Sequence, residues 1–146
     1  MNEFLALLGL ILLVVIVFRL SVWLIGIDRA AKVFPGKREV VTTGSWGVLY
    51  VNGETREGWV RMLNWRFSIE GGVLFINPAP QIPLLWLLPP LAIPLSEMTE
   101  IYSPGAWFSG GWRKAYLVQR AGIKIRLPEE VSAQIKLELN RLTSRQ

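Results

Sequence analysis

The chain has 146 residues, of which 51% are hydrophobic and 18% are charged, and its formal net charge is +5. Cysteine and histidine are absent, which excludes disulfides, thiolate or imidazole metal sites, and nucleophilic catalysis by Ser-His-Asp or Cys-His groups. This length fits one small domain with an appendage, and the basic excess suits a negatively charged partner such as anionic lipid or nucleic acid.

The first segment predicts a membrane helix. Residues 4–27 contain no charged side chain except that of Arg19. About 20 apolar residues in a helix span the hydrocarbon core of a bilayer, so we expect a transmembrane anchor within residues 1–30. The long stem of Arg19 can carry its guanidinium to the headgroups, and Trp23 suits the interface. A cleaved signal peptide is the alternative, but no positive charge precedes the apolar run.

The charges on either side of the anchor predict its orientation. Glu3 precedes the apolar segment, whereas Arg29, Lys32 and Lys37 follow it. Because basic residues stay on the cytoplasmic side, we expect an outward-facing N-terminus and a cytoplasmic C-terminal domain after a linker over residues 31–37. The protein is thus predicted to be a single-pass protein of the cell membrane.

Beyond the linker the pattern predicts strands. Residues 37–43 and 45–52 are rich in β-branched and aromatic side chains. Apolar and polar residues alternate over 65–69, and again on both sides of the Ala121-Gly122 turn, as they do in half-buried strands. In this second hairpin we expect five inward-facing side chains, those of Tyr116, Val118, Ile123, Ile125 and Leu127.

The last element is predicted to be a helix. Pro128 followed by two glutamates is typical of a helix start, because the acidic side chains are favourable near the positive end of the helix dipole. One apolar stripe, suited to packing on a sheet, comprises Val131, Ile135, Leu139 and Leu142.

The most unusual stretch is QIPLLWLLPPLAIPL, residues 81–95, which is uncharged and apolar. A second membrane span is disfavoured, because the LLWLL between Pro83 and Pro89 would rise about 7.5 Å as helix against a core of about 30 Å. We expect an irregular excursion over residues 81–93, within a proline-rich loop 78–94. Either this loop covers the domain's own core, or its tip contacts the bilayer or a partner. The apolar tip comprises Leu84, Leu85, Trp86, Leu87 and Leu88.

A second candidate contact lies in SPGAWFSGGWRK, residues 103–114, where aromatic and basic side chains are interleaved. The members are Trp107, Phe108, Trp112, Arg113 and Lys114. Such a set can stack on single-stranded nucleic acid, but it also suits a membrane interface with anionic lipid. Because an anchor is predicted on the same chain, we favour membrane lipid or a membrane protein as partner over nucleic acid.

Three segments in order, FSIEGGVLFINP, IPLSEMTEIYS and KAYLVQRAGIKIRLPEEVSAQIKLEL, resemble the pattern of pleckstrin-homology-like and GRAM-like domains over residues 38–142. The resemblance implies a bent antiparallel β-sheet or barrel with one C-terminal helix. It also implies a binding module for lipids or proteins.

The expected fold class is therefore mainly β, with an N-terminal transmembrane helix. The expected function is non-enzymatic binding of the inner leaflet or of a membrane partner, with no cofactor and no metal. The alternative is a membrane-anchored adaptor that binds a soluble protein or nucleic acid through its sheet edge and its aromatic-basic loop.

Overall fold

The computed structural model describes residues 2–37, 44–53, 60–78, 87–104 and 112–144, and within these ranges it contains three α-helices and one sheet. The helices are α1 (Asn2–Ile25), α2 (Ile27–Val33) and α3 (Glu129–Thr143). The strands are β1 (Ser45–Gly53), β2 (Val60–Glu70), β3 (Val73–Pro78), β4 (Leu91–Pro94), β5 (Met98–Pro104), β6 (Trp112–Val118) and β7 (Ile123–Arg126).

The seven strands form a single curled antiparallel sheet in the order β4-β3-β2-β1-β7-β6-β5, which resembles half of a barrel. The expectations of an antiparallel sheet, an apolar N-terminal helix and a C-terminal helix are confirmed. The strand expected over residues 37–43 lies, apart from Lys37, outside the described residues. A curled sheet of this kind encloses its core between the strands and leaves two ends for helices to cover.

The β6–β7 hairpin confirms the alternation read from the sequence. Tyr116 pairs with Ile125, and Val118 pairs with Ile123. All five side chains expected to face inward are buried. Between the strands the chain makes a 3-10 turn at Gln119–Ala121, and Gly122 adopts the left-handed conformation that glycine accepts without strain.

The helix α3 begins at Glu129, as the proline and the two glutamates predict. Val131 and Ile135 are buried, and Leu139 packs partly against the same core. Leu142, at the end of the stripe, is exposed. The start of the helix lies close to β1, because a Cβ on Gly47 would clash with Cγ of Pro128.

The helix α2 is the main departure from the expected architecture. Instead of a linker, residues 31–37 contain the last turn of α2 and a short extended segment. Ile27, Ala30 and Phe34 are buried in the same core as the strands. This helix was not predicted from the sequence, because its apolar residues continue the apolar run of α1. Only Gly26, at φ 86, marks the break.

The extended segment after α2 also covers one edge of the sheet. The amide of Ala92 donates to the carbonyl of Phe34 at 3.1 Å, and the amide of Gly36 donates to the carbonyl of Pro90 at 3.1 Å. These bonds occupy backbone groups of β4 and of Pro90 just before it, which would otherwise be open to another strand.

Candidate membrane-facing site

One helix in the described part of the chain is long and apolar enough to cross a membrane, namely residues 3–23 of α1, with a mean hydropathy of 2.8. Nearly all large apolar side chains from Phe4 to Val17 are exposed. A continuous apolar surface of this size is unfavourable in water and suits a bilayer core. Trp23, expected near the interface, is exposed as well.

The last turns of α1 are different, because they pack on the domain. Val22 is only 1% exposed, and Phe18 contacts the same core. Val15, Phe18, Arg19 and Val22 are the less exposed positions, and their spacing of three and four places them on one helix face. The apolar helix is therefore held by the domain along this face rather than joined to it by a free linker.

Arg19 lies at the centre of this contact and joins three separate segments. Its Nη1 donates a hydrogen bond of 2.8 Å to the carbonyl oxygen of Leu87. Its Nη1 and Nη2 also donate to the two carboxylate oxygens of Asp28, at 3.3 and 3.2 Å. We call Arg19, Asp28 and Leu87 the arginine junction. Such a forked pair fixes orientation as well as charge, although Arg19 is 42% exposed and water weakens the attraction.

Sequence reasoning missed Asp28 as the partner of Arg19. On one continuous helix, residues nine apart lie on opposite faces, since each residue turns the helix by about 100°. The left-handed conformation of Gly26 ends α1 and redirects the chain, which brings the carboxylate back to the guanidinium. A usable signal was present, because Asp28 is the chain's only aspartate and stands close after its apolar segment.

The proline-rich run is described only at its C-terminal end. Leu84, Leu85 and Trp86 lie outside the described residues. Leu87 is 39% exposed beside α1, whereas Leu88 is fully buried in the core. Leu88 therefore belongs to the core and not to a contact surface.

The expectation of an irregular excursion over residues 81–93 is wrong at its C-terminal end, because β4 begins at Leu91. There Leu91 and Ile93 are buried and alternate with half-buried neighbours, and both pair with residues of β3. Pro94 is tolerated as the last residue of this edge strand. The end of the apolar run thus serves two purposes, with its strand residues in the core and Leu87 at the surface.

The aromatic-basic residues are partly outside the described ranges. Trp107 and Phe108 fall there, and Trp112 and Arg113 are described only as backbone at the start of β6. The ammonium of Lys114 lies 2.8 Å from Oε2 of Glu100 on β5. This hydrogen bond raises the pKa of Lys114 above its ordinary value.

The structure does not bring Lys114 together with Leu87. Lys114 lines a cavity next to Gly47, near the start of β1. Near the end of β1, Gly53 pairs with Ile123, and a Cβ on Gly26 would lie 2.9 Å from Cγ2 of that isoleucine. The two regions are separated by about 20 Å of strand, at about 3.3 Å per residue.

Glu97 and Glu100 are each paired with a different cation. Glu97 accepts a 2.7 Å bond from Arg120, whose guanidinium also stacks 5.3 Å from the ring centre of Phe34. Glu100 is bound to Lys114. Among the residues whose positions are described, no group of three carboxylates could hold a metal ion. Glu97 and Glu100 thus have the geometry of structural ion pairs rather than of an acid–base pair.

No family model matches this sequence, and no curated protein or solved structure is significantly similar to it. Function must therefore be inferred from the contacts of the chain itself. The contacts that stand out are the exposed apolar surface of α1, the arginine junction at its C-terminal end, and the exposed Leu87 held beside it.

Proposed function

We propose that this protein is a non-enzymatic, single-pass membrane protein whose domain lies against the cytoplasmic leaflet and binds the lipid surface or a membrane partner there. The observation that carries this proposal is the 2.8 Å hydrogen bond from Arg19 to the carbonyl of Leu87. It joins the end of the apolar loop to the inner end of the helix that is long enough to cross a membrane.

The depth of Leu87 follows from the depth of Arg19. An arginine within an otherwise apolar helix is stable only where its guanidinium reaches the headgroups or a protein partner. We propose that Arg19 lies at headgroup level, and Leu87, which is bonded to its guanidinium, then lies at the membrane interface as well. Its half-exposed side chain can then be buried in lipid, which is favourable by about 1 kcal/mol or more for partial insertion.

The same bond also lowers the cost of bringing the loop into the interface. A non-helical backbone cannot leave its carbonyls unpaired in a medium without water. The carbonyl of Leu87 already accepts a hydrogen bond from Arg19. This backbone group therefore loses little when water is excluded around it.

Rigid attachment supports a weak lipid contact. Because α1 packs on the domain through Phe18 and Val22, the domain cannot diffuse away from the bilayer that holds α1. A tethered contact acts at high effective concentration, so small gains per side chain suffice. The basic residues after the helix, including Arg29 and Lys32, support the cytoplasmic side and a preference for anionic lipid.

We also propose that the domain is pleckstrin-homology-like. The support is its architecture, a curled antiparallel sheet of seven strands followed by a helix, together with the segment order noted in the sequence. Support for a binding role without catalysis comes from the composition, which lacks histidine and cysteine.

The test is a depth measurement on the full chain. The full chain is needed because α2 and the end of α1 belong to the core of the domain. The absence of cysteine allows a single nitroxide label at Leu87→Cys and, as a matched control, at Leu137→Cys. Leu137 is 65% exposed on α3, on the other side of the fold. The protein is placed in nanodiscs with and without anionic lipid.

We expect the label at position 87 to collide with oxygen, which dissolves in lipid, more than with an aqueous nickel chelate. The label at position 137 should show the reverse. A label at position 87 that is as accessible to nickel as the control would contradict the proposal. A reporter fused after Gln146 tests the side of the membrane, and we expect it to be active only in a cytoplasmic form.

A second candidate function, the adaptor, is favoured by the free edge of the sheet. One edge strand, β4, is covered by the segment after α2, whereas β5 pairs with β6 alone among the described strands. It also exposes Tyr102 by 65%. An added strand from a partner protein would suit this edge. If the adaptor is correct, Tyr102→Lys should abolish co-purification of a partner that Leu87→Ser leaves bound.

A further inference from the structure

A cavity of about 820 Å³ lies at the opposite side of the domain from the arginine junction. Its walls are β1, the ends of β6 and β7 that face α3, and the first turns of α3. Its size lies within the range of small-molecule sites in proteins, about 300–1,000 Å³. The cavity plays no part in the membrane contact proposed above.

Three basic side chains from three different elements line this cavity: Lys114 of β6, Arg126 of β7 and Lys136 of α3. Glu129 is the one acid among the lining residues that the structure describes, and Glu100 adds a second carboxylate through its bond to Lys114. Cations that converge on a concave surface create a positive potential, because the protein walls concentrate their field. The cavity therefore favours an anion.

Arg126 gives this charge a fixed position. It is buried, and its guanidinium lies 6.0 Å from the ring centre of Tyr50, which also lines the cavity. Lys114 and Lys136 are more exposed, and the bond between Lys114 and Glu100 is a surface pair that an incoming anion can share. The hydroxyl of Ser132 adds a neutral donor to the same wall.

The remaining lining is apolar and comprises Val48, Leu127, Pro128 and Ala133. An inorganic anion would leave this surface in contact with water. A ligand with an anionic head and a short apolar body would use both halves of the cavity, because the head meets the cations and the body displaces water from the apolar wall.

We infer that this cavity, the α3 cavity, binds an amphiphilic phosphate, that is, a phosphate monoester on a short apolar body. Such a ligand can be a soluble alkyl phosphate or the headgroup of a lipid in the bilayer. The α3 cavity lies about 20 Å along β1 from the inner end of α1, at about 3.3 Å per residue, which favours a molecule that is not embedded in the leaflet.

The experiment uses the full chain in neutral maltoside micelles, with butyl phosphate as the probe. The amide signals of Ser132 and Ala133 are followed by nuclear magnetic resonance. Lys136→Gln removes one cation from the cavity wall. Lys32→Gln is the matched control, because Lys32 is exposed on α2 and does not line the cavity. A second arm replaces micelles by nanodiscs with phosphatidic acid and no added probe.

We expect saturable shifts of both amides with butyl phosphate, binding weakened about tenfold by Lys136→Gln, and no change in Lys32→Gln. We also expect no such shifts from phosphatidic acid in nanodiscs. If these shifts appeared, the ligand would be a lipid headgroup in the bilayer, and the inference of a soluble ligand would be overturned. Equal weakening in both variants, absence of saturable shifts, or equal binding of butanol would overturn the site. Equal binding of inorganic phosphate would overturn the role of the apolar wall.

Discussion

The two ends of the curled sheet are both covered by helices, but they are built in different ways. At one end, α3 follows directly after β7 and buries Val131 and Ile135. At the other end, α2 buries Ile27 and Ala30. It is tied to Arg19 through Asp28, and the guanidinium of Arg120, far away in the sequence, stacks on Phe34 at its C-terminal end.

This difference separates two kinds of stability. The α3 end depends mainly on a local amphipathic helix that follows a hairpin. The α2 end depends on contacts between α1, α2 and the end of the proline-rich run, and the bond from Arg19 to Leu87 joins residues 68 positions apart in the sequence. A membrane contact at the α2 end would therefore act on a part of the domain that is joined by a contact distant in sequence.

The largest expected effect comes from placing a charge in the core at each end. Ile135→Asp and Ala30→Asp each put an unpaired carboxylate among buried apolar side chains, which should cost several kcal/mol of unfolding free energy. Leu137→Asp, on the exposed face of α3, is the control and should cost little. Chemical denaturation of the full chain in micelles measures all three. A stable Ala30→Asp protein would show that α2 is only loosely placed on the sheet.

A smaller effect is expected at the break between α1 and α2. Gly26→Ala forces a side chain into a left-handed conformation and places its Cβ 2.9 Å from Cγ2 of Ile123. Gly71→Ala is the matched control, because Gly71 also has a positive φ of 56° but no atom within 4 Å of its Cβ position. We expect about 1 kcal/mol for Gly71→Ala from backbone strain, and clearly more for Gly26→Ala. Equal losses in thermal unfolding would mean that Ile123 moves away without cost.

Removal of the arginine junction should have a modest effect on stability and a larger effect on position. Arg19→Gln breaks the pair with Asp28 and the bond to Leu87, and we expect a loss of about 1 kcal/mol because the group is partly exposed. Arg141→Gln, which breaks the exposed pair with Glu138, is the control. With a nitroxide at position 87, Arg19→Gln should raise collisions with aqueous nickel. Unchanged accessibility would show that the junction does not hold Leu87 at its depth.

The same two ends show what the sequence could and could not predict. Alternation in the β6–β7 hairpin and the stripe of α3 repeat at the periods of a strand and a helix, so local pattern was sufficient there. The apolar residues of α2 continue the apolar run of α1 in the sequence, and Gly26 is the one residue that marks the boundary between the two helices. The pairing of Arg19 with Asp28 is possible only because the helix breaks at Gly26. The sequence did not show this break, so composition and spacing predicted that the guanidinium of Arg19 reaches the lipid headgroups.

The proline-rich run marks the same limit. Its prolines argue against a second helix of spanning length. The strand over Leu91–Pro94 was not predicted, because its first residues were assigned to an irregular excursion over residues 81–93. Which leucine would be buried was not visible, because Leu87 and Leu88 are neighbours of the same type. Only the packing of the folded chain distinguishes them.

The smallest expected effect is a difference in pH dependence between the two ends. The hydrogen bond to Glu100 raises the pKa of Lys114 above its ordinary value of 10.5. A raised pKa in the folded state means that the pair stabilises the fold fully below about pH 10 and loses this contribution as the pH rises through the folded pKa. The loss should be well below 1 kcal/mol, because both groups are partly exposed. At the α2 end the cation of the pair with Glu97 is an arginine, a residue type that is not deprotonated in proteins, so this pair should not respond. Urea denaturation of the parent and of the variants Glu100→Gln and Glu97→Gln, at about pH 9 and about pH 11.5, tests this. Glu100→Gln should flatten the pH dependence relative to the parent, whereas Glu97→Gln should lower stability equally at both values. If Glu97→Gln flattened it instead, the alkaline loss would belong to the α2 end and the contrast between the two ends would fail.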